Sequence, residues 1–103
     1  MQTAFSIIGH AKANFLGSRF RAAELRENLE RLLSGVDEVV LDFTGMASVT
    51  QSFVDELLGV LILKHGAGIV QRLVFKGCSE DIKEIISFVV SARTEDYQKK
   101  NRH

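Results

Sequence analysis

Short apolar runs alternate along this chain with longer segments whose apolar residues recur every three or four positions. The runs at 39–43 and 72–76 have the length and composition of buried strands, and the longer segments have the periodicity of helices. Strands and helices that alternate in this order form parallel β-α-β units. The chain is therefore expected to fold as one α/β domain, with a mostly parallel sheet of about three to five strands and three helices.

Serine residues mark where the three helices begin. Ser18, Ser52 and Ser79 each precede a segment of helical periodicity. A serine at this position accepts a hydrogen bond from a backbone N–H of the first helical turn. Gly35 and the glycines within 66–68 are predicted to end the first two helices.

The two ends of the chain differ from its middle. Residues 5–8 alternate as a first strand would, and residues 11–15 are a candidate for a short hairpin arm that returns beside it. The third helix is expected to end near Arg93, after which the sequence is polar. We therefore assign residues 1–93 to the domain and residues 94–103 to a flexible tail.

Composition and charge argue against several functions. Thirteen basic and thirteen acidic residues leave a formal net charge of zero, so a basic surface for nucleic acid or anionic lipid is not expected. One cysteine and three widely separated histidines give neither a disulfide nor a cluster of metal ligands. No apolar run is long enough to span a membrane, and the N-terminus lacks the pattern of a secretory signal. We expect a cytoplasmic protein without a metal or another cofactor.

Three short stretches of the sequence, two of them overlapping, carry a resemblance to a known family. Residues 39–52, VVLDFTGMASVTQS, resemble the central motif of STAS domains, the anti-sigma factor antagonist family. Residues 16–19, LGSR, and 50–57, TQSFVDEL, are more similar still to the STAS-like domains of unknown function. The resemblance implies a STAS-like fold and a non-enzymatic role in bacterial-type signalling. It also implies a protein partner, such as a signalling ATPase or kinase.

The loop that opens the second helix is the place for phosphorylation that the resemblance implies. In the STAS family a partner kinase phosphorylates the first serine of this loop, and Gln51 holds the corresponding position here. Thr50 and Ser52 flank it and are the phosphoacceptor candidates, because the N-terminus of a helix stabilises an added phosphate. The alternative is that both hydroxyls only cap the helix.

The second helix carries more apolar side chains than one buried face requires. Counting 100° per residue places Phe53, Val60 and Leu63 on its sides or back, away from the core stripe. Together with Gln51 they are the candidates for contact with a partner protein, or with a second copy in a homodimer. The alternative is that neighbouring helices cover them.

Asp42, Thr44, Gly45 and Cys78 follow the two predicted inner strands. Because the carboxyl ends of parallel strands meet at one edge of a sheet, these residues define a second candidate function, the binding of a small molecule or nucleotide. The sequence has no P-loop and no Rossmann glycine series. Cys78 is either a reactive thiol at a helix start or a partly buried one. No acid/base pair or catalytic triad is readable, so we do not expect an enzyme.

Overall fold

The computed structural model describes residues 2–11, 15–16 and 18–100. The strands are β1 (Gln2–Ser6), β2 (Phe15–Leu16), β3 (Glu38–Asp42), β4 (Ser48–Val49) and β5 (Leu73–Lys76). The helices are α1 (Ile7–Ala11), α2 (Arg19–Leu33), α3 (Gln51–Val54), α4 (Val60–His65) and α5 (Glu80–Lys100). A π-helical turn, Asp55–Gly59, joins α3 to α4 in one continuous helix, and a 3₁₀ segment, Ala67–Arg72, leads into β5.

The main sheet has three parallel strands in the order β1-β3-β5. Phe5, Leu41 and Leu73 lie on the face that the helices cover, whereas Ala4 and Val74 on the opposite face are exposed. This alternation follows from the period of two residues in a strand. The expected α/β class and parallel sheet are confirmed, with β3 in the middle as its apolar sequence predicts. The strands β2 and β4 form a separate parallel pair.

Helix α2 matches its sequence prediction closely. Ser18 has an extended backbone, and its Oγ accepts hydrogen bonds from the N–H groups of Phe20 and Arg21 at 3.1 and 3.4 Å. The apolar stripe of α2 is buried, and the helix ends at Leu33, before Gly35. The capped first turn and the buried stripe together explain why this segment is helical.

The helix that contains α3 and α4 begins two residues earlier than predicted. Thr50, with an extended backbone, is the N-cap, and its Oγ1 accepts the N–H of Phe53 at 3.1 Å. The prediction of Ser52 as the cap is therefore wrong, because Ser52 already lies inside the first helical turn. The end of this helix, at His65 before Gly66, agrees with the prediction.

Helix α5 begins after Ser79, as predicted, and Ser79 Oγ accepts the N–H of Ile82 at 3.2 Å. It continues to Lys100, so the assignment of residues 94–103 to a tail is corrected for 94–100. Tyr97 packs on the core beside Gly66, and Glu95 pairs with Lys99 at 3.1 Å. These contacts extend the helix through a polar sequence.

The N-terminal prediction is correct only in part. Residues 2–6 form a strand, but Ile7 and Ile8 begin helix α1 although the strand was expected to continue through them. Phe15–Leu16 runs parallel to β4, so it is not an arm of a hairpin with the first strand. The remaining part of the predicted arm, 12–14, lies outside the described residues.

Candidate functional site

Two of the stretches that carry the family resemblance, LGSR and TQSFVDEL, come together at the start of the α3–α4 helix. Arg19, in the first turn of α2, reaches Asp55 with Nη1 3.0 Å from Oδ2. The same guanidinium lies 3.5 Å from Glu56 Oε1. The arginine of LGSR thus binds the two acidic residues of TQSFVDEL.

Asp55 is held by a second arginine from the opposite side. Arg93, on α5, places its Nε 2.6 Å from Oδ1 and its Nη2 2.8 Å from Oδ2, a two-pronged pairing of guanidinium and carboxylate. Only 8% of Asp55 is exposed. The hydrogen bonds from Arg93, followed by those from Arg19, hold the pKa of Asp55 below its ordinary value. Asp55 therefore connects α2, the α3–α4 helix and α5 as a carboxylate.

The absence of a side chain at Gly59 makes room for this pairing. A Cβ at position 59 would lie 2.5 Å from Asp55 Oδ1 and 3.0 Å from Arg93 Cγ. Both Asp55 and Gly59 lie in the π-helical turn, in which the N–H of Val60 donates to the carbonyl of Asp55. Turns of this kind occur often at functional sites.

A second arginine of α2 extends the charged network. Arg26 Nη1 lies 2.5 Å from Glu56 Oε2 and donates to the Glu56 carbonyl at 3.2 Å. Glu30 accepts from Lys64 Nζ at 2.9 Å and lies 3.0 Å from His65 Nε2. This row of ion pairs joins α2 to the α3–α4 helix along its length.

A cavity of about 150 Å³ opens beside the ion pairs of Asp55. Its walls come from Arg19, from Gln51 and Ser52 at the start of α3, and from Phe88 and Arg93 on α5. Phe88 is 57% exposed, and Phe20, the residue after Arg19, is 76% exposed. We call these six residues, Arg19, Phe20, Gln51, Ser52, Phe88 and Arg93, the Ser52 surface. It combines two guanidinium groups, the exposed side chain of Ser52 and two exposed aromatic rings.

The structure separates the residues proposed from the sequence for partner binding. Gln51 and Ser52 are exposed, whereas Thr50 is half-buried with its hydroxyl engaged in the helix cap. Phe53 has no exposed surface, because the helix is covered by α2 and α5 on both sides. The prediction that Phe53 contacts a partner is therefore wrong. Val60 and Leu63 are half-buried.

The residues proposed for a ligand pocket lie at the expected edge without sharing one pocket. Asp42 Oδ1 accepts the N–H of Thr44 at 2.9 Å, and hydrogen bonds from Thr44 lower the pKa of Asp42. Asp42 lines a depression on the open face of the sheet, whereas Cys78 lines another, beside β5. Gly45, with a positive φ, packs near Ile8. Burial raises the pKa of the Cys78 thiol, which is the opposite of what a reactive cysteine needs.

The partnership of Arg19, Asp55 and Arg93 and the exposure of Phe88 were not predicted from the sequence. Arg19 lies in LGSR and Asp55 in TQSFVDEL, and their occurrence in these two motifs was the available signal. Arg93 is 38 residues from Asp55, and no local pattern links them. An exposed phenylalanine on a helix beside a buried stripe is also indistinguishable from a core residue in a single sequence.

Neither a membrane-spanning helix nor a cluster of metal ligands is found within the described ranges. No helix among them is both long and apolar enough to cross a membrane. Over the same ranges, His, Cys, Asp and Glu side chains nowhere gather in the groups of three that a metal ion would need.

Comparison with known proteins identifies one matching family. The family described as the STAS-like domain of unknown function matches residues 21–83, more than half of the chain. No curated protein and no solved structure gave a match. The matched residues include α2 from Arg21 onward, β3, the α3–α4 helix and β5, so they contain Asp55 and its π-helical turn but not Arg19 or Arg93. A STAS-like domain indicates a regulatory or signalling type of module. This chain belongs to the family of STAS-like domains of unknown function.

Proposed function

We propose that this protein is a non-enzymatic regulatory module of the cytoplasm that binds a protein partner through the Ser52 surface. The partner class that fits the family resemblance is a signalling ATPase or kinase. Binding would use the exposed residues at the start of α3, together with the rings of Phe20 and Phe88 and the half-exposed guanidinium of Arg19.

The observation that carries this proposal is the exposure of Phe88 at the cavity that Arg19 and Arg93 line, with Phe20 exposed one residue after Arg19. Phe20 and Phe88 are the two most exposed large apolar side chains of the described residues. Aromatic residues and arginine are enriched at the energetic centres of protein interfaces. Leaving such rings in water is unfavourable, and covering them with a partner would recover that free energy. The arginines would add specificity for a carboxylate or phosphate.

Phosphorylation of Ser52 is the regulation that this surface supports. Ser52 is exposed and lines the same cavity as Arg19 and Arg93. A phosphoserine carries nearly two negative charges and forms strong hydrogen bonds with guanidinium groups. It would compete with Asp55 for the two arginines and place new charge where the partner binds. Thr50 is the less suitable acceptor, because its hydroxyl caps the helix.

Substitutions at exposed positions test the partner site without disturbing the core. Phe88→Ala and Phe20→Ala should leave the melting temperature within about 2 °C of wild type, since surface changes seldom exceed about 0.5 kcal/mol. Each should weaken the affinity for a co-purifying partner at least about fivefold, as loss of an aromatic anchor does. Val74→Ala is the matched control, because Val74 is also a large exposed apolar residue and lies on the sheet, away from the cavity. Equal affinity for all three variants would refute the proposed site.

The phosphorylation step has its own test. Ser52→Asp should weaken partner binding and keep the fold, and Ser52→Ala should keep both. Thr50→Ala should instead lower stability by about 1 kcal/mol through loss of the cap, with partner affinity unchanged. Unchanged binding by Ser52→Asp would remove Ser52 from the interface. Light scattering on the purified protein would show whether the partner is a second copy of this chain.

A further inference from the structure

The main sheet ends at β5 with one side of that strand unpaired. β5 is the last strand in the order β1-β3-β5, and no other described strand lies beside it. The N–H of Phe43 donates to the carbonyl of Lys76 at 2.8 Å, so the backbone groups of Lys76 point toward β3. Successive residues of a strand point their backbone groups to opposite sides. The N–H and C=O of Phe75 therefore face the free edge.

Helix α5 and this free edge form the two sides of a groove of about 590 Å³. The apolar part of its lining comes from Phe75, which is half-buried, and from Ile86 on α5. Lys76 and Lys83 supply positive charge, and no carboxylate of the described residues lines the groove itself, although Asp42 shares the adjoining depression with Lys76 and partly offsets its charge. Glu80 lies 3.5 Å from Lys83, but both side chains are largely exposed and the pair is weak. The groove is thus an apolar slot with a basic rim along an unpaired strand.

The opposite edge of the sheet lacks this combination. The depression between β1 and α2 has a volume of about 330 Å³ and is lined by Phe5, Asn28, Arg31 and Leu32. Phe5 has no exposed surface, so the half-buried Leu32 is the apolar side chain that this depression offers, beside the single positive charge of Arg31. The β1 edge therefore serves as an internal comparison for the β5 edge.

We propose that the groove between β5 and α5 binds an extended segment of a partner protein as an added strand. Main-chain hydrogen bonds to Phe75 would hold the segment, as in other complexes formed by strand addition. An apolar side chain of the segment would enter between Phe75 and Ile86. A carboxylate, either an acidic side chain or a free C-terminus, would pair with Lys76 and Lys83. This site is separate from the Ser52 surface and does not depend on it.

The probe for this proposal is a display library of random short peptides, presented with free C-termini and, in a second arm, as internal segments. We expect the selected peptides to combine a β-branched or aromatic residue with a carboxylate. The variant Lys76→Gln with Lys83→Glu should bind a selected peptide about tenfold more weakly. Arg31→Glu, beside the β1 edge, should bind it as wild type does. Enrichment only among peptides with free C-termini would identify the carboxylate as a C-terminus, and enrichment only among internal segments would identify it as an acidic side chain.

Amide hydrogen exchange gives a readout specific to strand addition. Binding of a selected peptide should slow exchange of the Phe75 amide at least about tenfold and leave the amides of Val74 and Lys76, which already face β3, little changed. The proposal is overturned if no peptide is enriched, if the lysine variant binds as wild type, or if the Phe75 amide does not respond. If exchange of the Phe75 amide slows when the protein concentration alone is raised, the edge pairs with a second copy of this chain, and the proposal of a partner segment is likewise overturned.

Discussion

Replacing Gly59 with alanine sets two physical effects against each other. Alanine is favoured over glycine within helices by about 1 kcal/mol, so helix propensity alone predicts a more stable protein. The geometry predicts the reverse, because the new Cβ would lie 2.5 Å from Asp55 Oδ1. The carboxylate would have to leave its position between Arg93 and Arg19.

The expected loss follows from the partial burial of this ion pair. Breaking a fully buried pair costs about 3–5 kcal/mol, and this one should cost about 2–3 kcal/mol because the side chains of Arg93 and Arg19 are 33% and 52% exposed. Subtracting the gain in helix propensity leaves a net loss of about 1–2 kcal/mol. For a domain of this size the melting temperature should fall by about 5–10 °C. Urea denaturation and circular dichroism would measure both quantities.

Two companion variants make this test specific. Gly68→Ala is the matched control, because a Cβ at that position meets nothing within 4 Å and should leave stability unchanged or slightly higher. In an Asp55→Ala background, Gly59→Ala should destabilise much less, since the clashing carboxylate is absent and the side chain of Arg93, 3.0 Å from the new Cβ, is free to move away. A Gly59→Ala protein as stable as wild type, or an equal loss in both backgrounds, would refute the role assigned to the Asp55–Arg93 pair.

Three further variants test other parts of the structure. Arg72 donates hydrogen bonds to the carbonyls of Leu33, Val36 and Asp37 at 2.5, 2.7 and 3.0 Å. Arg72→Ala should therefore lower the free energy of unfolding by about 2–3 kcal/mol. Arg21→Ala is the control and should lower it by less than about 0.5 kcal/mol, because the ion pair of Arg21 is exposed. Gly77→Ala should cost about 2 kcal/mol or more by chemical denaturation, because φ is +70° and the Cβ would lie 2.6 Å from Thr44 N. Asp55 has a lowered pKa when folded, so its contribution to stability is present above the unfolded value of about 4 and is lost as pH falls through the folded pKa. Denaturation between pH 7 and pH 3 should therefore show a smaller acid loss for Asp55→Asn than for wild type.

The sequence was sufficient for those elements whose local and tertiary preferences agree. Helix α2 has a serine cap and an apolar stripe that the sheet buries, and β3 has an apolar run in the middle of the sheet. Ile7 and Ile8 show the opposite case, because their β-branched side chains favour a strand while the chain turns into α1. Ser6 Oγ accepts the N–H of Gly9 at 3.1 Å and so stabilises the first turn of α1.

The candidate site was only partly predictable for a related reason. Local sequence predicted the start of the second helix to within two residues and named Thr50 and Ser52 as candidates, although Thr50 and not Ser52 is the cap. Phe53 was misplaced because a single helical wheel assumes one buried face, whereas α2 and α5 cover two sides of this helix. The pairing of Asp55 with Arg93 spans 38 residues and depends on how α5 docks, which no local pattern encodes.

Site-specific photocrosslinking tests the proposed partner surface most directly. A photoreactive phenylalanine analogue would replace Phe88 in one strain and Val74 in another, in the cells that express the protein natively. We predict a discrete crosslinked species from position 88 and not from position 74, since both are exposed but only Phe88 lines the cavity beside Ser52. The species should diminish when Ser52→Asp is added. No crosslink from position 88, or the same species from both positions, would contradict the account.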